Sequence, residues 1–278
     1  MQIGAMNHPA RPLSEQIQWL GEMGFDFLDL TLEPPHASSW NIDAPATKRM
    51  LEGNNLRVVG HTAPFLPIAS PVEELRQAAL FEFRRCIDVF QRVGVLWMNV
   101  HPGMSPMHDR AFTVQRNLES LRELLNYGRQ KTVGVMIENL PDRFNTAHQL
   151  SELLDPLPEL GLHLDIGHAN LMNASNTTRE IIAAYGHRLK HVHLHDNRGG
   201  NLDLHLPLGA GNVDVSDCVT ALKSCGYDGT ITLEVFAADL NHLLYSRNVL
   251  QQAWSTSAEP LRKQHAASRS TSTHIPPT

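Results

Sequence analysis

Sixteen of the 278 residues are histidine, and several of these stand beside carboxylates at the ends of short apolar segments. His61 closes Val58-Val59-Gly60-His61, and His101 follows Met98-Asn99-Val100. Glu138 follows Met136-Ile137, and Asp165 and His168 bracket Asp165-Ile166-Gly167-His168. His193 lies in His191-Val192-His193-Leu194-His195-Asp196, Asp203 and His205 lie in the loop beyond it, and Glu234 lies in Thr232-Leu233-Glu234-Val235. Brought to one place without a counter-ion, carboxylates in this density repel one another and are costly to strip of water. A bound divalent cation relieves both costs. Mixed His, Asp and Glu donors without cysteine suit zinc, manganese or another first-row metal.

Such residues converge only if the elements carrying them do. Candidate strands cover 2–5, 25–31, 57–61, 95–101, 133–138, 161–165, 189–194 and 230–235. Between them run stretches with apolar residues at three- and four-residue spacing: 13–23, 44–52, 71–92, 112–130, 147–154, 177–187, 215–224 and 239–254. That spacing buries one face of a helix. Strands separated by helices pair in parallel, and eight such units in about 250 residues predict an α/β chain folded as a closed (β/α)8 TIM barrel. An open doubly wound sheet is the alternative, but no GxGxxG or P-loop pattern follows the first strand. In a barrel the strand C-termini share one rim, where the active sites of this fold sit. Strand parity then places Asn99, His163, His191 and Thr232 one layer beneath the rim, where such groups orient ligands.

The barrel is expected over 1–254 as one domain, with 255–278, rich in Ser and Thr and ending in prolines, as a disordered tail. Lys+Arg total 23 against 29 Asp+Glu, a formal charge of −6, which gives no electrostatic support for broad nucleic-acid or anionic-membrane binding. No apolar run approaches the roughly 18 residues of a membrane span. Three scattered cysteines and the lack of a signal-peptide pattern point to the cytoplasm. Three further residues are candidates for substrate contact: His8 and Trp40 as walls on the first two rim loops, and His195 just past the seventh strand. Asp29 and Glu33 share the rim by parity, as substrate-hydroxyl contacts or loop salt bridges. Gly209-Ala210-Gly211 is a phosphate cradle or a turn into the next helix.

The stretches Asn99-Val100-His101-Pro102-Gly103, Ile137-Glu138-Asn139, Asp165-Ile166-Gly167-His168, His193-Leu194-His195-Asp196 and Asp203-Leu204-His205-Leu206-Pro207-Leu208-Gly209 resemble the xylose isomerase-like TIM-barrel superfamily. The resemblance runs from about Met1 to Trp254. The superfamily includes sugar phosphate isomerases/epimerases and endonuclease IV, and the two branches imply two chemistries. In the sugar branch, Glu138, Asp165, His193 and Glu234 would hold one divalent metal, with Glu138 and Glu234 as acid and base for proton transfer next to a sugar carbonyl. In the endonuclease IV branch, His61 and His101 would hold one zinc, bridged by Glu138 to a second held by Asp165, His193 and Glu234. His168, Asp203 and His205 would hold a third. The chain departs from the endonucleases in its Asp-Leu-His-Leu loop, where they read Asp-Arg-His-His. Its rim loops 7–12 and 33–41 hold one arginine and no lysine, too few for sequence-independent phosphate contacts. The segment 25–30 also looks more like the isomerase branch. The expectation is therefore a metal-dependent isomerase/epimerase with a small carbohydrate substrate, and a trinuclear zinc phosphoesterase is the alternative; between them the two branches imply one to three divalent ions per chain, zinc, manganese, cobalt or magnesium.

Overall fold

In the computed structural model, which describes residues 1–105 and 107–257, strands and helices alternate along the chain. The order is β1 (Gln2–Met6), α1 (Leu13–Glu22), β2 (Phe27–Leu32), α2 (Ala44–Gly53), β3 (Arg57–Thr62), α3 (Glu73–Val93), β4 (Trp97–Val100), α4 (Arg110–Lys131), β5 (Gly134–Glu138), α5 (Ala147–Leu154), β6 (Gly161–Asp165), α6 (Ile166–Ala169), α7 (Thr178–Tyr185), β7 (Leu189–Leu194), α8 (Val215–Ser224), β8 (Thr230–Leu233) and α9 (Asn241–Thr256). All neighbouring strands pair in parallel, and β1 pairs with β8 to close the barrel.

Alternation along each strand divides the interior into two kinds of core. Outward residues such as Leu28, Leu30, Val135, Ile137, Leu162, Leu164, Ile231 and Leu233 pack under Ile17, Phe83, Ile87, Phe90 and Leu121 of the helices, and all are buried. Inward residues are polar towards the C-terminal rim: Asp29, Asn99, Glu138, His163, Asp165, His191, His193 and Thr232 are nearly inaccessible. Side chains rather than a pore fill the barrel, as its diameter requires. Aspartates start several helices: Asp43, Asp109 and Asp214 each accept a backbone N–H three residues on, which satisfies donors left free in a first turn.

Four details differ from the pattern read in the sequence. The β4 and β8 ladders stop at Val100 and Leu233, so His101 and Glu234 stand one residue beyond them. Asp165-Ile166-Gly167-His168 forms the start of the short helix α6, with Asp165 as its N-cap accepting from His168 N at 2.9 Å. Pairing of β6 with β7 slips between Leu162, opposite Leu189, and His163, opposite His191. Lys190 is thereby left unmatched, and the slip brings His191 and His193 level with His163 and Asp165. Irregular pairing commonly re-aims side chains beside sites in this way. Finally, α9 continues through Ser255 and Thr256, two residues expected in the tail, while 258–278 lie outside the described residues. Lys223 Nζ donates to the carbonyls of Trp254 and Ser257 at 2.7 and 2.8 Å, satisfying acceptors at the helix end. Among the described residues no helix is long and apolar enough to cross a membrane.

Candidate metal centre and active site

The rim encloses a cavity of about 910 Å³ whose lining includes His61, His101, His168, Asp203, His205 and Glu234. Glu138, Asp165 and His193 lie just beneath it, with at most 1% of their surface exposed. The nine candidate ligands are therefore gathered at one place. One donor atom each from His61, Glu138 and His193 lies within 4.8 Å of the others, and the same holds for Glu138, Asp165 and His168 and for Asp165, His195 and Glu234. A fourth group joins His168, His195, Asp203 and His205. His101 Nε2 is 3.1 Å from Glu138 Oε2, and His193 Nδ1 is 3.1 Å from Glu234 Oε2.

Charge is balanced inside this cluster. Burial pushes the Glu138 carboxyl up, but the His163 and His101 rings outweigh it and hold the group well below the usual range. Asp165 is lowered in the same way, burial being overcome by His168 and His195. Burial, reinforced by His101 and His193, drives His61 well below its ordinary value, and burial reinforced by His193 and His191 drives His163 down to about 3, so both rings present lone pairs. Burial opposes protonation of His168 and His193 as well, yet Asp165 and Asp203 raise the first and Glu234 and Asp29 the second well above the ordinary value. His205 is raised to about 8, against burial, mainly by its hydrogen bond with Asp203. Protons here do what a cation would do, and binding one would release them.

The surrounding chain is built to hold these groups. Asn99 Nδ2 donates to Glu138 Oε2 at 2.8 Å, and Asn99 Oδ1 accepts from Thr62 N at 2.7 Å. Asn139 Nδ2 donates to the Asp165 carbonyl, and Asn145 Nδ2 to the His168 and Leu171 carbonyls. Gly167 is required because a Cβ there would meet the His195 ring at 2.2 Å. The loop that carries Asp203 and His205 is pinned by buried Asp196, which accepts from the backbone N–H groups of Asn197, Gly209, Gly211 and Val213. Those bonds occupy the glycine N–H groups of Gly209-Ala210-Gly211, so this turn is a clamp and not a phosphate cradle.

The three candidates for substrate contact fall in different places. His8 lines the cavity. Trp40 does not: the residue is 54% exposed, with the Arg85 guanidinium 5.2 Å from its ring, because the β2–α2 loop turns it towards α3. His195 is completely buried, stacked on His205 at 4.1 Å and 3.4 Å from Asp165 Oδ1, which puts it among the candidate ligands instead of on a wall. Parity pointed Asp29 inward, but it lies beneath the rim on β2, where Oδ2 accepts from His193 Nε2 at 2.7 Å. In the sequence, Asp29 stands between the apolar residues Leu28 and Leu30, a signal of burial that does not name its partners.

The donor set fits a divalent cation. His61 Nδ1 and Nε2, His101 Nδ1, Asp165 Oδ2 and His195 Nε2 are buried with no hydrogen-bond partner among the described residues, a concentration of unmet donors and acceptors that native interiors avoid. All of them are atoms that bind zinc or manganese. Glu138, Asp165, His193 and Glu234 are spread over three overlapping groups of donors, which they share with His61, His168 and His195.

Comparison with known proteins agrees with the architecture. The L-ribulose 3-epimerase of Methylomonas sp. (strain DH-1) is 28% identical over 236 residues, covering 78% of this chain and 76% of that protein. A probable endonuclease 4 of Aquifex aeolicus (strain VF5) is 26% identical over 224 residues, covering 73% and 79%. The crystal structure of a D-tagatose 3-epimerase-like protein has the same fold, with a TM-score of 0.81 at 24% identity over 92% of this chain and 97% of that one. The family model described as xylose isomerase-like TIM barrel matches residues 17–264. A closed eight-stranded barrel, matched over most of its length by that model, makes this chain a member of the xylose isomerase-like TIM-barrel family.

Proposed function

We propose that the protein is a metal-dependent sugar epimerase that moves a proton at the carbon next to a sugar carbonyl. The observation that carries the reading is His193 standing between two glutamates. Its donor atom clusters with that of Glu138, and its Nδ1 lies 3.1 Å from Glu234 Oε2. Two carboxylates flanking one substrate position suit proton removal and return. Glu138 and Glu234 are the acid/base pair, one carboxylate taking the proton and the other carboxyl supplying one. A cation held by Glu138, Asp165, His193 and Glu234 would supply Lewis-acid polarisation of the sugar oxygens. His8 offers a polar contact at the cavity wall. Arg11 is the one Lys or Arg among the residues lining the cavity, which favours a small carbohydrate over a polyanion. The 3-epimerase relative supports a ketose. Three unpaired cysteines support a cytoplasmic location.

The test is metal content per chain by elemental analysis, followed by proton exchange in deuterated water across a panel of ketoses and aldoses. About one ion per chain and deuterium at the carbon beside the carbonyl are expected. Absence of exchange on every sugar sinks the proposal. A trinuclear phosphoesterase is the second reading, favoured by one observation: His61, His101, His168, Asp203 and His205 line the cavity beside Glu234 and over Glu138, Asp165 and His193. About three zinc ions per chain with nicking of abasic-site DNA would put it first.

A further inference from the structure

Asp29 lies on β2 and touches two strands that are not its neighbours in the sheet. Its Oδ2 accepts from His193 Nε2 at 2.7 Å and from Thr232 Oγ1 at 2.9 Å, and lies 3.3 Å from His191 Nε2. The Thr232 hydroxyl is also 3.0 Å from His191 Nε2, while His191 Nδ1 is 2.7 Å from Thr230 Oγ1. The carboxylate is fully buried and its Oδ1 has no partner among the described residues. A packing role alone would be met at less desolvation cost by an apolar residue of similar size. Instead a buried charge is kept where it reaches one nitrogen of His193, and the other nitrogen of that ring faces Glu234.

We propose that Asp29 is a positioning residue for His193: by accepting the Nε2–H it fixes the ring's orientation and leaves Nδ1 as the nitrogen presented to the cation. The inference rests on the metal reading above. Its physical basis is general, since an imidazole that donates one N–H to a carboxylate has its tautomer set and its other nitrogen made a better donor. Thr232 and His191 complete the arrangement by holding Oδ2 in place from β8 and β7. Asp29 touches neither the cavity nor a reacting atom, so it acts only through His193.

The experiment compares wild type and Asp29→Asn, which keeps the side chain's size and removes its charge. Zn²⁺ affinity is read by competition with a chromophoric chelator, thermal stability on the metal-free proteins, and the proton position on 15N-labelled His193 by NMR. Asp29→Asn is expected to bind Zn²⁺ roughly ten- to a hundredfold more weakly. Zn²⁺-loaded wild type is expected to show a slowly exchanging proton on Nε2 and none on Nδ1. Thr232→Val, which removes one hydroxyl beside Oδ2, is expected to weaken binding by a smaller factor and decides the matter if Asp29→Asn does not fold. Equal Zn²⁺ affinity in the folded variants, or a proton on Nδ1 with Nε2 bare, overturns the assignment. A wild type that binds no divalent ion overturns the metal reading itself, whereas binding that survives the loss of Asp29 overturns only this inference.

Discussion

Asp196 and Asp165 are both buried carboxylates at the C-terminal ends of adjacent strands, β7 and β6, yet their surroundings are opposite. Asp196 Oδ1 accepts from Asn197 N and Val213 N at 2.9 and 3.0 Å, and Oδ2 from Gly209 N and Gly211 N at 2.8 and 2.9 Å. Its charge is answered by fixed backbone dipoles. Asp165 has one backbone donor, His168 N on Oδ1, while Oδ2 has no hydrogen-bond partner among the described residues and lies 3.3 Å from His168 Nδ1. Its charge is answered by imidazoles that can also lose their protons. The first carboxylate holds the chain together, and the second is one of those proposed to hold a cation. Burial alone does not separate these roles; the identity of the donors does.

The largest expected effect lies on the side of the carboxylates that face imidazoles. Glu234→Gln removes one member of the acid/base pair and should lower turnover by about 10²- to 10⁴-fold with little change in thermal midpoint. Steady-state kinetics beside a melting curve checks both halves. A large fall in stability with activity retained would move Glu234 into the class of Asp196. The comparison is then drawn directly by two isosteric variants. Asp196→Asn should destabilise the protein by about 3 kcal/mol, because an amide cannot answer four backbone donors as a carboxylate does. At this chain length that lowers the midpoint by roughly 6–12 °C. Asp165→Asn should leave the midpoint nearly unchanged and weaken metal binding. If the two variants behave alike, donor identity is not the distinguishing property.

The same contrast explains what could be read from the sequence. Strand alternation and the polar ends of successive strands were visible because each is local: Glu138 and Asp165 announce themselves as carboxylates closing apolar runs. Asn99, His163, His191 and Thr232 lie beneath the rim where a two-residue period puts them. The role of Asp29 was not legible, since its partners are about 160 to 200 residues away and only closure of the barrel brings them together. His195 reads as a loop residue because the strand ends at Leu194, but the two-residue alternation carries on past that end and keeps it in the inward column with His191 and His193. Trp40 stands on a rim loop yet outside the cavity lining, with its ring under Arg85 of α3, a direction that only the packed helix sets.

A smaller effect separates one cation from three. His205 accepts no role in the four-ligand centre, although it joins Asp203 Oδ2 at 3.0 Å. With a single ion, His205→Ala should lower kcat/KM by less than about tenfold, the size of one lost polar contact. With a third ion it should remove that ion and most of the activity. Elemental analysis of the variant gives the stoichiometry independently of the kinetics.

The smallest effect concerns the outer edge of the cavity. The Phe236 ring is 57% exposed and stacks on His205 at 4.2 Å, and His205 stacks in turn on His195 at 4.1 Å. The stack leads from solvent to the buried cluster. His205 sits at a positive φ of 44°, and its carbonyl accepts from Phe236 N at 3.1 Å while its Nδ1 lies 3.0 Å from the Glu234 carbonyl. Backbone contacts therefore hold His205 in place without help from the Phe236 ring. Phe236→Ala removes one aromatic contact, worth about 0.5–1.5 kcal/mol, and an apolar surface against which a sugar face can lie. KM should rise by a factor of about two to twelve with kcat nearly constant, since the change leaves both glutamates of the proposed pair in place. A fall in kcat of more than tenfold with KM unchanged would mean that the ring, and not the backbone, positions His205, and that the boundary between holding the chain and holding the ligand runs through this stack.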